Sequence, residues 1–178
     1  LVLSQLKTVV DYSGAAIATL DGENFVFLDY QGPTPREKIV NMQIPADLPS
    51  GYKEVVRLRQ PVIFNDLWDA NAQSPAIQAH RMGLIGESFS YARSWLGVPL
   101  MVKDRLIGVL KVDHEKPNQF NSQDAQLVLA FANQVAVALD NARLYERAQT
   151  VAALEERQRL ARELHDSVSQ ALYGIALG

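Results

Sequence analysis

The sequence predicts an α+β fold followed by a long C-terminal helix, and three observations carry that reading. Two pairs of β-rich runs are each joined by a tight turn: "AAIATLDGENFVFLDY" at 15–30, and "SWLGVPLMV", "KDR", "LIGVLKVDH" at 94–114. Helical periodicity appears separately, at the start and after Ser50. From Asp124 to Gly178 there is no proline, and no glycine before Gly174.

Taken in order, "LVLSQLKTVVDYSG" places Val2, Leu6, Val9 and Val10 at helical spacing and ends at Gly14. The first strand pair flanks Asp21-Gly22-Glu23-Asn24, the composition of a hairpin turn. "QGPTPREKIVNMQIPADLPS" is proline-rich and reads mainly as loop. Ser50 is placed to cap a helix through "GYKEVVRLRQ", and "PVIF" is a short strand. "NDLWDANAQSPAIQAHRMGLIGESFSYAR" is polar and poorly periodic; a loop this long is usually functional or mobile. After the second strand pair, "EKPNQFNSQ" is a loop, and Asn121 or Ser122 caps the final helix.

Composition narrows the chemistry. The 178 residues are 48% hydrophobic, enough for one domain plus an extra element. A formal charge of −3 and a pI near 5.6 argue against nonspecific nucleic-acid binding. There is no cysteine, which excludes disulfides, iron–sulfur clusters, thiolate zinc sites and a thiol-linked chromophore. No metal-ligand spacing stands out. The apolar stretches fall far below the ~20 residues that span a bilayer. No basic segment precedes an apolar run, so no signal peptide is expected. The leading Leu1 and trailing Gly178 suggest a piece of a longer, cytoplasmic protein, whose parent could be membrane-attached through segments further upstream.

A helix of some 50 residues would run roughly 75 Å at ~1.5 Å per residue, and one small domain cannot bury its whole length. Its far half needs another partner, most simply the same helix of a second subunit. Val137, Leu144, Val151 and Leu154 keep heptad-like spacing, and Leu160, Leu164, Val168, Ala171 and Ile175 continue the seam. The six-residue step from Leu154 to Leu160 breaks the phase: a stutter, a local unwinding, or a break that leaves two helices in line.

The strand "LGVPL", the glycine-bearing strand "LIGVLKVD", the helix entry with Phe120 and Asp124, and the exit "ALDNARLY" together resemble a GAF domain over residues 1–147. The resemblance implies an antiparallel sheet of five to six strands, helices on one face, and a pocket on the other under the long loops. Members bind cyclic nucleotides, haem, bilins, small anions or amino acids, so fold alone does not name a ligand. Of the cyclic-nucleotide signature, Asn118, Phe120 and Asp124 stand in place. Gln119 and Ala125 replace its lysine and glutamate. His80, read as a loop residue, is an option for haem ligation, ahead of His114, which reads as solvated. Trp68, Phe89, Tyr91 and Trp95 are candidates to line an apolar ligand pocket, although such residues more often close a core.

Residues 148–178 contain "LEERQRLARELHDSVSQALYGI". This resembles the first helix of the dimerisation and phosphotransfer domain of sensor histidine kinases, of the nitrate/nitrite-sensor class. Glu156, Arg157, Arg159, Leu160, Ala161, Arg162, Glu163, Leu164, His165, Asp166 and Gln170 stand in register with that box. The resemblance implies that His165 is the phosphoacceptor, Asp166 its acid/base partner, and Gln170 the residue orienting a water for dephosphorylation. The chemistry fits: a neutral imidazole is the nucleophile, and a neighbouring acid can fix its tautomer. Asp166 and Gln170, four apart, share a helix face. The expected partners are a second copy, a response regulator with a helix-turn-helix output domain, an ATP-binding catalytic domain outside this sequence, and an unidentified small molecule. ATP would enter only through that domain. The alternative is a ligand-free dimerisation scaffold relaying signals from elsewhere.

Overall fold

The computed structural model describes residues 2–176, with side chains described for residues 2–164. His165, Asp166 and Gln170, and the seam residues Val168, Ala171 and Ile175, therefore lie outside the described side chains. The chain divides into two units, residues 1–137 and 138–178.

In the first unit, α1 (Val2–Leu6) leads into β1 (Gly14–Asp21) and β2 (Asn24–Gln31). These strands pair antiparallel across Gly22-Glu23, with Gly22 at φ +57, where a side chain would be strained. The proline-rich stretch is not all loop: it holds α2 (Arg36–Ile39) and β3 (Gln43–Pro45). Next comes α3 (Gly51–Leu58), capped as expected by the Ser50 side chain, which accepts from Lys53 N at 3.3 Å. β4 (Val62–Phe64) follows. The segment read as one long loop carries α4 (Pro75–Arg81) and a 3₁₀ turn at Glu87–Phe89. β5 (Ser94–Val102) and β6 (Arg105–His114) form the second hairpin, and α5 (Ser122–Ala176) closes the chain.

The six strands form one antiparallel sheet in the order β3-β2-β1-β6-β5-β4. Its edges are the two three-residue strands, too short to template further pairing. Ala16, Ala18, Phe25, Phe27, Tyr30, Trp95 and Val109 face one buried cluster, joined by Tyr52 and Val55 of α3 and Ile77 of α4. Their alternate neighbours Ile17, Leu96, Val98, Leu110 and Val112 are equally buried but lie outside that cluster, on the opposite face. Leu3 and Leu6 of α1, and Val128, Ala132 and Ala136 of α5, supply the remaining buried apolar set. Both faces are covered, which is why β5 and β6 read as near-continuous apolar runs.

Two details of the sheet aim side chains. Ile17 pairs with Asp29 and Ala18 with Phe27, so Leu28 is an extra, bulged residue in β2. The bulge shifts the period by one, and Tyr30 joins Phe25 and Phe27 on the cluster face. At Gly108 a methyl group would overlap the Ala18 carbonyl oxygen, so close approach of β1 and β6 excludes any side chain there.

α5 begins with a reciprocal cap. Asn121 Oδ1 accepts from Gln123 N at 2.7 Å and Asp124 N at 3.2 Å, while Asp124 Oδ2 accepts from Asn121 N at 2.9 Å. In the second unit the side chains from Asn141 to Leu164 are exposed, including Leu144, Val151, Leu154, Leu160 and Leu164. Arg159 pairs with Glu156 and with Glu163, each at 2.7 Å. Among the described residues no helix is long and apolar enough to cross a membrane.

The Gly108 contact gives a direct check on the sheet. Gly108→Ala is expected to lower stability by about 1–3 kcal/mol through overpacking, read as a fall in the urea unfolding midpoint. An unchanged midpoint would mean that β1 and β6 separate freely at that register.

Candidate functional site

The cluster face of the sheet encloses a cavity of about 30 Å³. β5 and β6 provide its floor through Trp95, Lys111 and Asp113; α3 provides Gly51 and Tyr52; α4 provides Ala76 and His80. Ile85 and Phe89 close it from the segment after α4, where Gly83 and Gly86 adopt φ of +71 and +93. One water needs roughly 10–15 Å³ of such space, so the cavity suits a guest of few atoms. A porphyrin does not fit within these walls.

The strand period sets the charge. Lys111 and Asp113 are two apart on β6, so both point into the cluster face, and both are almost fully buried. Their side chains form an ion pair. The ammonium also lies 4.5 Å from the Phe89 ring centroid and 5.8 Å from that of Tyr30. Asp113 Oδ1 accepts from the Tyr91 hydroxyl at 2.7 Å, and the Tyr91 and Tyr30 hydroxyls are 3.3 Å apart. Gly14 makes room for this: a methyl there would overlap the Tyr91 hydroxyl. Burial, then the charge of Asp113, push the Tyr91 phenol far above its usual range. Tyr91 is therefore neutral and donates.

Aromatic rings fill the rest. The Tyr52 ring centroid lies 5.3 Å from Phe25, 5.7 Å from Phe27 and 5.8 Å from Trp95. The Trp95 indole occupies the space that Gly51 and Gly97 leave open. Burial raises the Tyr52 phenol well above its usual value, with Asp113 adding to the effect. Its hydroxyl has no hydrogen-bond partner.

The four aromatic residues singled out in the sequence separate here. Phe89 and Trp95 line the cavity. Tyr91 stands behind it, holding Asp113. Trp68 is 40% exposed; its Nε1 donates to Ala92 O at 3.0 Å and its ring meets His80 edge-on at 5.6 Å. The loop that carries Trp68 is pinned by Arg93, which holds Asp66 through contacts of 2.9 and 2.6 Å.

Both histidine readings change. His80 is not a loop residue but the buried face of α4, and it lines the cavity. His114 is not solvated; it is 7% exposed, and its Nδ1 accepts from Lys116 N at 3.0 Å. Sequence reasoning also missed Lys111, Asp113, Tyr30 and Tyr52. For the first two the signal was present: charges at i and i+2 in a strand that is otherwise apolar from Leu106 to Val112 share one face. Among the described residues, no group of three or more His, Asp or Glu is placed to hold a metal ion.

Burial lowers the His80 pKa below its usual 6.5, with Lys111 acting in the same direction and Asp113 and the Ala92 backbone opposing. The folded state therefore binds fewer protons than the unfolded chain once pH drops below that value. Stability from this residue is complete above pH 6.5 and is lost as pH falls toward the lowered folded pKa. In urea unfolding, His80→Gln should lose less stability than wild type between pH 7.5 and pH 5.5, roughly this interval on the usual His scale; parallel losses would refute the assignment.

A second check addresses the ion pair. Removing one partner of a buried pair leaves a bare charge, so Lys111→Met should cost about 3–5 kcal/mol. Adding Asp113→Asn should restore part of that loss, because the amide oxygen still accepts from Tyr91. No recovery in the double variant would mean that the pair is not coupled.

Comparison with known proteins places these features. Residues 1–139 match the model of the GAF domain family, and residues 156–178 match a histidine kinase family model. The chain is 41% identical over 80 residues to the sensor histidine kinase YhcY of Bacillus subtilis, covering 45% of this chain and 21% of that protein. It is 28% identical over 113 residues to the circadian input-output histidine kinase CikA of Thermosynechococcus vestitus, covering 62% and 14%. The chain thus spans about a fifth or less of the length of these relatives. In structure it resembles the GAF domain of a two-component sensor histidine kinase from Bacillus halodurans, with a TM-score of 0.64 and 19% identity over 82% of this chain and 92% of that one. A six-stranded antiparallel sheet, a covered cavity on one face and a family match over 1–139 together make the chain a member of the GAF domain family.

Proposed function

We propose that this chain is the sensory and phosphoacceptor part of a two-component histidine kinase. Residues 1–147 sense a small molecule or partner, and residues 148–178 carry the signal to His165. One observation carries the reading: an eleven-position acceptor box lies on the helix that leaves the GAF domain, with no proline between them. Asp166 orients and activates the imidazole, and Gln170 positions water when the regulator is dephosphorylated. ATP is bound by a catalytic domain outside this sequence, and the phosphoryl group passes on to a response regulator, one with a helix-turn-helix output domain.

A second copy of the chain is the natural partner of the helix. Leu144, Val151, Leu154 and Leu160 are each about half exposed, and a parallel coiled coil would remove them from water. A signal acts by binding two states of the dimer unequally. The phase slip between Leu154 and Leu160 is where the helix can change register or rotation.

The small cavity also favours a second reading, in which the GAF domain is a ligand-free scaffold and the signal arises elsewhere. Native mass spectrometry separates the two: extra mass on a dimer supports the sensor, and bare dimer mass supports the scaffold.

The acceptor assignment has its own test. The chain, extended through a second helix and mixed with the separately made catalytic domain and labelled ATP, should take up label that His165→Gln abolishes. Equal labelling of the variant would remove His165 from the mechanism. In the full-length kinase, deleting one residue between 155 and 160 should uncouple activity from the signal, and unchanged control would refute the switch at that position.

A further inference from the structure

Among the described residues, two buried side-chain polar atoms lack a hydrogen-bond partner: Tyr52 Oη and His80 Nε2. Both residues line the same cavity, and both are more than nine-tenths buried, at 3% and 7% exposure. Buried polar groups are ordinarily paired, so two orphans in one small space mark the complement of a guest.

Their chemistry is specific. The Tyr52 phenol stays protonated and has a proton to donate. The His80 ring, its pKa lowered by burial, is neutral. With its one proton on Nδ1 it presents the unpartnered Nε2 as an acceptor. The charged groups, in contrast, are satisfied: Lys111 holds Asp113, and Asp113 also accepts from Tyr91. The cavity's titratable groups sum to zero charge. A charged guest would bring an uncompensated charge into a buried space walled by Phe64, Ile85, Phe89 and Trp95.

We infer that the cavity binds a small neutral molecule with a compact apolar body, whose acceptor oxygen takes the Tyr52 proton and whose N–H or O–H donates to His80 Nε2, as a primary amide does. This rests on the sensor reading and gives the ligand's chemical class. Specificity comes from the neutral pair, while the Lys111–Asp113 pair excludes ions by being already complete.

The test uses three nearly isosteric probes of four heavy atoms against the 178-residue chain: acetamide, acetate and acetone. Binding is followed by the Trp95 indole N–H resonance. The amide should bind saturably, and the carboxylate and the donor-free ketone should each bind at least roughly tenfold more weakly. Tyr52→Phe removes an unpaired hydroxyl, so it should fold with an equal or higher urea midpoint while losing amide binding. His80→Leu should weaken the amide to the level of the ketone.

Acetate binding as well as the amide would overturn the inference in favour of an anion site at Lys111. So would unchanged amide binding in Tyr52→Phe. Failure of all three probes to saturate would mean that the two atoms are bridged by water alone. None of these results touches His165, whose labelling test fails or succeeds independently.

Discussion

The buried Lys111–Asp113 pair is the constraint around which the first unit is arranged. Two charges on one face of a central strand cannot enter an apolar core without several further partners. Each neighbouring element supplies one. The segment after α4 brings the Phe89 ring beneath the ammonium and the Tyr91 hydroxyl to the carboxylate. β2 brings the Tyr30 ring, but only because the bulge at Leu28 turns that residue inward. β1 opens at Gly14, the one residue type that leaves space for Tyr91 and Asp113. Apolar replacements would satisfy the core more simply, so the pair fits a functional floor better than a stability device.

That floor sits on the strand that leads to the helix. β6 ends at His114, one residue beyond Asp113, and α5 begins at Ser122. The link between them is held rather than loose. His114 O accepts from Arg93 N at 2.8 Å, Lys116 O accepts from Ser94 Oγ at 2.8 Å, and Asn65 O accepts from Asn118 N at 2.8 Å. A guest that moved Asp113 would therefore act on a segment with few internal degrees of freedom. This is a physical route from cavity to helix entry, and whether a signal uses it is a matter of coupling energy rather than adjacency.

Much of the fold was legible because it rests on local rules. The hairpins follow from turn composition, the Ser50 cap from side-chain chemistry, and the helical C-terminal segment from the missing prolines, which leave one helix or two in line open. α4 escaped notice because it is seven residues long and its N-cap, Ser74, makes no side-chain bond. Without α4, His80 reads from the sequence as a surface histidine. The cavity was half legible. Phe89 and Trp95 were found by their size, whereas Tyr30 depends on a bulge that no local pattern announces. Lys111 and Asp113 were passed over because charge is ordinarily taken as exposure. The strand period alone would have paired them, but only burial from both sides, a tertiary fact, makes the pair matter.

The second unit is governed by a different balance. Its apolar seam loses phase between Leu154 and Leu160, where a coiled coil has least to gain from either register. Glu156, Arg159 and Glu163 span that gap on one face of the helix, and the central arginine bonds both acids. Exposed pairs of this kind are screened by solvent and add little. That is enough to favour helix over coil where packing is weak, and too little to select a register. The segment can thus remain helical whichever register a partner helix would take. The same acidic and basic residues lie within a few positions of His165, so in the kinase proposed above the charges that keep the helix intact adjoin the group that the movement would present.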